Sequence, residues 1–208
     1  MSRPGDLFSV HSEAPVAIES RALGTLAYIR ASIESSSSMD VPGMAGIVMG
    51  IIGVLASVVV SLPRWAPHWL GIWLAAAAVA LLLGGAIVAR QITPRGGTRY
   101  LGPARKFLLC LCPALFAGAV LTWVLGTAGL AALIPGMWLL LYGCAVLSAS
   151  TVTSAAIARL VCAMGGLFVV LGLITFALPA AHSFMLGLGF GGLHLLFGLL
   201  IGRSTHDG

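Results

Sequence analysis

Six stretches of roughly 20 residues are almost wholly apolar, and short polar or proline-bearing breaks separate them. They run over Met44–Leu62, His68–Ala89, Phe107–Leu125, Ala128–Ser148, Ala158–Leu178 and His182–Gly202. A helix needs about 20 apolar residues to cross a bilayer, so each stretch is read as a membrane span. The breaks have local causes. Pro63 and Pro67 bracket the first turn and Pro179 closes the fifth span, because proline cannot continue a helical hydrogen-bond ladder. Gly126 and Gly129 mark a tight turn between spans three and four. Pro113 and Pro135 fall inside spans three and four, where kinks are expected.

Composition agrees with the pattern. Of 208 residues, 59% are hydrophobic and only 8% charged, with a mean hydropathy of +1.06. Soluble domains carry roughly 25% charge, so one core in a chain this size would leave too little charge to coat its outside. A soluble enzyme, a disordered regulator and a disulfide-rich secreted module are excluded. The fold class is all-α integral membrane: six transmembrane helices as three hairpins, preceded by an N-terminal amphipathic cytoplasmic helix. The 27 glycines exceed the usual share of about 7%, which suits close helix packing.

Residues 1–38 form a cytoplasmic arm, 39–203 the bundle and 204–208 a short tail. In the arm, residues 18–34 read as a helix. Ile18, Ala22, Leu26, Ile29 and Ile33 fall within an arc of about 80° at 100° per residue. Ser35–Ser38 makes a loose linker. The arm can lie on the membrane surface, dock on the bundle or seat a partner, since one apolar stripe serves each. It lacks a short apolar run after a basic start, so span one is the expected insertion signal.

Charge sets the orientation. Ten of the eleven basic residues fall on one side of the spans and only Arg64 on the other. The positive-inside rule places both termini in the cytoplasm of a bacterial-type inner membrane. Trp65, Trp69 and Trp123 sit near the opposite interface, as an aromatic belt does. The net charge of +5 is read as this loop bias. No basic face with interleaved aromatics is present, which argues against a nucleic-acid partner. Cys110, Cys112, Cys144 and Cys162 lie within spans on the cytoplasmic half, so a disulfide framework is not expected there.

The outer hairpins resemble each other. Gly53 precedes Pro63 by ten residues, and Gly172 precedes Pro179 by seven. Spans two and six both finish in Gly-x-(Ile/Leu)-(Val/Ile)-x-Arg, at Gly85–Arg90 and Gly198–Arg203. Span four carries Leu-Leu-Leu-Tyr-Gly at 139–143. Three hairpins entering from the cytoplasm would be parallel repeats about a membrane-normal axis, and chance recurrence of Leu and Gly is the alternative. On these motifs the chain resembles small six-span bacterial inner-membrane proteins of the HdeD-like, acid-resistance-associated type, over roughly 90 residues. The long arm and Ser-rich linker depart from that pattern and look more like uncharacterised small bacterial membrane proteins. Either resemblance implies a fold more than an activity.

Candidate chemistry is sparse. Asp6, Glu13, Glu19, Glu34, Asp40 and Asp207 all lie outside the spans. Proton relays and ion-coupled carriers usually need intramembrane carboxylates, and paired-carboxylate or Ser/His/Asp catalysis needs an acid. The letters Gly187-x-Gly189-x-x-Gly192 fall within a span, which removes a dinucleotide reading. No enzyme is therefore expected.

His194 shares a stripe of span six with Gly187, Gly191, Gly198 and Gly202, and so should point into the bundle. Tyr142, Cys144 and Cys162 lie at a similar depth. Two readings stand: a ligand cluster for a metal, haem or other tetrapyrrole, or a histidine hydrogen-bonded to Tyr142 or a backbone carbonyl, with the cysteines acting as small apolar residues. Cys110 and Cys112 point about 200° apart and do not suit one ion. His68 and His182 open spans two and six at the outer face, as an axial-ligand pair or as interfacial rings. Gly46, Gly50, Gly53 and Ser57 make a second small-residue stripe, for packing within the chain or in a homo-oligomer.

The expectation is a non-enzymatic membrane protein in the lipid bilayer, an accessory or structural subunit of a larger complex or a small stress-associated bundle. A carrier or channel for a small solute and a redox or pigment-binding subunit are the alternatives.

Overall fold

The computed structural model describes residues 23–26, 41–92 and 98–204. Two compact units divide the chain, Met1–Ser37 and Ser38–Gly208. In the first, residues 23–26 are helical and exposed; the rest of the arm helix read over 18–34 lies outside the described residues, as does the tail from residue 205 onward.

Among its described residues the second unit is built of helices joined by short turns, and six helices are long and apolar enough to cross a membrane. They are α1 Gly43–Ser61, α2 Trp69–Ile92, α3 Thr98–Thr127, α4 Ile134–Ser150, α5 Ala155–Ala177 and α6 His182–Ser204. Most ends fall within three residues of the hydropathy boundaries; α3 starts nine residues earlier than Phe107 and α4 six later than Ala128. At 1.5 Å per residue the 30 residues of α3 span about 45 Å, longer than a hydrocarbon core of about 30 Å. Its surplus is the basic N-terminal end, where Arg105 and Lys106 are exposed.

The turn after α3 shows why two glycines sit there. Leu130 N–H donates to Leu125 O at 2.8 Å and Gly129 N–H to Gly126 O at 3.3 Å. These two bonds form a Schellman cap, which needs a left-handed residue; Gly129 supplies it at φ +74°. Pro135 corrects the sequence reading. A short 3₁₀ turn, Ala131–Leu133, precedes α4, so Pro135 occupies the first helical turn and demands no kink. Pro113 does lie inside a helix, which continues through it.

The core is built by α1, α4, α5 and α6. Phe168, Leu139, Ile157, Leu186, Phe197 and Val60 meet there, joined by Trp73 of α2. Within hydrocarbon no hydrophobic force draws helices together, so close backbone approach has to do that work. Glycine provides it at two seams. Between α1 and α6, a Cβ on Gly53 would stand 2.5 Å from the Phe190 carbonyl oxygen, one on Gly50 2.7 Å from Leu195 N, and one on Gly198 2.7 Å from Ile47 N. Gly191 meets Val54, and Gly187 lies on Ser57. The two stripes seen in the sequence are therefore each other's partners inside one chain.

Between α4 and α5, Gly143 and Gly165 face each other. A Cβ on either would fall 2.9–3.0 Å from the other's carbonyl oxygen, and Gly172 packs likewise on the Gly136 carbonyl at 3.0 Å. Helix α2 lies against α1 and α3 against α4, whereas α2 and α3 make no extended contact with each other.

Helix α6 is not uniform. Between α-helical turns at His182–Leu186 and His194–Ser204, the segment Gly187–Leu193 winds as a π-helix. Four of its seven residues are glycine. The widened turn puts a glycine against α1 at Gly191 and another at Gly189 against Leu139, Leu171 and Phe168. π turns inside α-helices occur often at functional sites.

Candidate functional site: a lateral crevice floored by Tyr142 and His194

Where α2 and α3 fail to close, a crevice of about 280 Å³ opens on the lipid-facing side. Met49 and Gly53 of α1 form part of its back wall, Ala77 and Ala80 of α2 one flank, and Ala114, Gly118 and Ala119 of α3 the other. Small residues on both flanks create the space. The lining is apolar apart from a few groups: Thr122, Trp138, Tyr142, His194 and Trp73.

The floor is an aromatic cluster. The Tyr142 hydroxyl and His194 Nε2 are 2.7 Å apart, joining α4 to α6. Phe168 and Phe190 complete the cluster, with centroids 4.8 and 5.2 Å from the Tyr142 ring and 5.4 and 6.1 Å from the His194 ring. Trp73 approaches Phe190 at 6.1 Å. His194 is only 2% exposed. Its Nδ1 is buried without a hydrogen bond of ordinary geometry. A polar pair in this setting gains from being mutual, because neither partner can turn to water.

Two further polar groups mark the crevice. Trp138 Nε1–H donates to Thr122 Oγ1 at 2.7 Å, fastening α4 to α3, while the Thr122 hydroxyl donates to the Gly118 carbonyl at 2.6 Å. Trp73 is 3% exposed and its Nε1–H has no partner among the described residues.

Of the residues singled out from sequence, Tyr142 and His194 come together and the cysteines do not join them. Cys144, Cys162 and Cys112 are exposed on the bundle surface and Cys110 is half-buried. Among the described residues no group of three or more His, Cys, Asp or Glu side chains gathers as a metal site would. At the outer face, His68 stacks edge-on to Trp65 at 6.3 Å and His182 lies 5.6 Å from Trp69, so each histidine keeps its own tryptophan. Arg64 sits 5.2 Å over the Trp65 ring.

A tetrapyrrole on His194 would have to displace the Tyr142 bond from Nε2 or use Nδ1.

Sequence reasoning missed Trp73, Trp138, Phe190 and the glycines of the α4–α5 seam. A signal was present. Three spans carry aromatic pairs at i,i+4: Trp69 and Trp73, Trp138 and Tyr142, Phe190 and His194. Such pairs share one helix face, and these three faces converge on the floor of the crevice.

Fold and site together define a six-span helical integral membrane protein with a laterally open, apolar crevice. No family model, curated protein or solved structure matches the chain.

Proposed function

We propose that this is a non-enzymatic protein of a bacterial-type inner membrane, an accessory or structural bundle that holds a bilayer-dissolved apolar molecule in its lateral crevice. The observation that carries this reading is the crevice itself: small residues on α2 and α3, and a fixed aromatic floor made by α4 and α6. Ligand sites are typically concave, mostly apolar and marked by a few placed polar groups. The HdeD-like resemblance of the hairpins supports a small membrane bundle of this kind.

The orientation belongs to the same proposal. Arg90, Arg105, Lys106, Arg159 and Arg203 lie toward one end of the alternating helices and Arg64 toward the other. The positive-inside rule makes the crowded end cytoplasmic.

The test is native mass spectrometry of protein extracted in mild detergent from its own membranes. The reading expects a lipid-soluble small molecule retained by the wild type and lost from Ala119→Trp, which fills the crevice from an exposed position on α3. A bare chain in both, or equal retention in both, contradicts it. A mass matching haem or a metal would favour the pigment reading instead.

A further inference from the structure

Resting on the crevice reading, we infer that the molecule held there is a neutral ring compound bearing a carbonyl oxygen and a hydrocarbon tail, of the quinone or ring-ketone class. The ring sits on the aromatic floor, the oxygen takes a hydrogen bond from Trp73 or Tyr142, and the tail leaves between α2 and α3.

Three observations lead there. The first is size. A crevice of about 280 Å³ falls just below the range of ligand pockets, roughly 300 to 1,000 Å³. It holds a single ring with its substituents, and the open side between α2 and α3 gives a tail somewhere to go.

The second is the balance of polar groups. Trp73 lines the crevice, and its indole N–H, a group that only donates, is buried with no partner among the described residues, so a small turn of the ring presents it to a ligand. The Tyr142 hydroxyl is engaged only by His194 and keeps further hydrogen-bonding capacity. No charged side chain lines the crevice, which argues against an ion or a fatty-acid carboxylate. A donor left unpaired in hydrocarbon costs free energy, so a neutral acceptor oxygen is the chemistry the wall lacks.

The third is depth. His194 lies twelve residues past the start of α6 and ten before its end, about 18 and 15 Å by helical rise. That is near the middle of a hydrocarbon core about 30 Å thick. The ester carbonyls of a phospholipid sit at the edge of that core, too far out to reach Tyr142 without drawing the headgroup inside. The oxygen must belong to a molecule that dissolves whole in the hydrocarbon.

Binding to the full chain in nanodiscs tests this. The probes are decyl-trimethyl-benzoquinone, whose fully substituted ring offers cysteines no open carbon, and decyl-trimethylbenzene, the same skeleton without oxygens. Bound probe is counted per chain, with empty nanodiscs subtracted. The expected result is saturable quinone binding near one per chain, with the hydrocarbon about tenfold weaker. Trp73→Phe and Tyr142→Phe should between them erase that tenfold preference, read as the ratio of quinone to hydrocarbon affinity within each variant. Ala119→Trp should abolish both.

Equal binding of the two probes, lost together in Ala119→Trp, would leave the crevice reading standing and overturn the carbonyl inference. Neither probe exceeding empty nanodiscs would overturn both. A quinone preference that persists in both variants would overturn the assignment of the donors. Circular dichroism and a monodisperse elution show that each variant is folded.

Discussion

Two kinds of helix contact coexist in this bundle. At the α1–α6 and α4–α5 seams, glycine faces glycine and backbones touch. Between α2 and α3 there is no such contact, although both helices are equally apolar. The difference shows in burial: 44% of the spanning window around α4 is buried inside the bundle, against 6% for α3. Hydropathy does not account for such differences: α2 and α5 share a value of 2.4 yet are 17% and 39% buried. In a membrane, apolarity puts a helix in the bilayer, and small residues at the right spacing decide what it packs against. Glycine alone is not sufficient. Gly71, Gly85 and Gly126 on α2 and α3 have nothing within 4 Å of a Cβ.

The largest effect should come from closing off a seam. Gly53→Leu places a branched side chain where even a Cβ would press on the Phe190 carbonyl at 2.5 Å. Overpacking costs about 1–3 kcal/mol in tolerant sites, and here the obstruction is backbone. The monodisperse fraction in detergent should collapse, and Gly165→Leu should do the same at the other seam. Gly71→Leu and Gly126→Ala, made in the open region, should leave it unchanged. If all four variants behaved alike, the contrast between seams and open region would be lost.

Next in size is the Tyr142–His194 pair. Tyr142→Phe leaves Nε2 buried without a partner, a loss of about 1–2 kcal/mol. His194→Leu should cost a similar amount, and the double variant less than their sum. Unfolding midpoints in a titration with sodium dodecyl sulfate measure the cycle. Strict additivity would mean the two groups do not depend on each other.

Smaller still is Thr122→Val, which removes the acceptor for Trp138. Intramembrane side-chain hydrogen bonds average about 0.6 kcal/mol. Since this bond fastens α3 to α4, its loss should also raise hydrogen exchange along α3 more than along α1. Equal changes in both helices would sink the idea that α3 is held locally.

Much of this architecture is legible in the residues. Six spans follow from length and apolarity, and both histidine-bearing and glycine-bearing faces follow from 3.6-residue periodicity. The inward aim of His194 and its hydrogen bond to Tyr142 were legible, because both residues sit mid-span. Which stripe meets which was not, since Gly46, Gly50 and Gly53 on one helix fit any close neighbour. The π turn at Gly187–Leu193 was also hidden, because seven mostly glycine residues carry no side-chain pattern to betray a wider winding. Pro135 misled for a related reason: without the 3₁₀ turn before it, the first turn of α4 reads as mid-span. The cysteines misled through depth. Position along a span says nothing of which way a side chain faces, and Cys144 and Cys162 face outward.

The most direct test of the open seam is oxygen accessibility of spin labels in lipid bilayers, read by electron paramagnetic resonance in a background with the four cysteines replaced. Labels go at Ala77 and Ala119 on the two flanks, with Leu82 as the lipid-exposed reference and Ala56 as the buried one. The account predicts accessibilities at Ala77 and Ala119 close to that of Leu82, falling when a ligand fills the crevice. Values at both flanks as low as that of Ala56, in protein free of ligand, would mean that α2 and α3 close together and would contradict it.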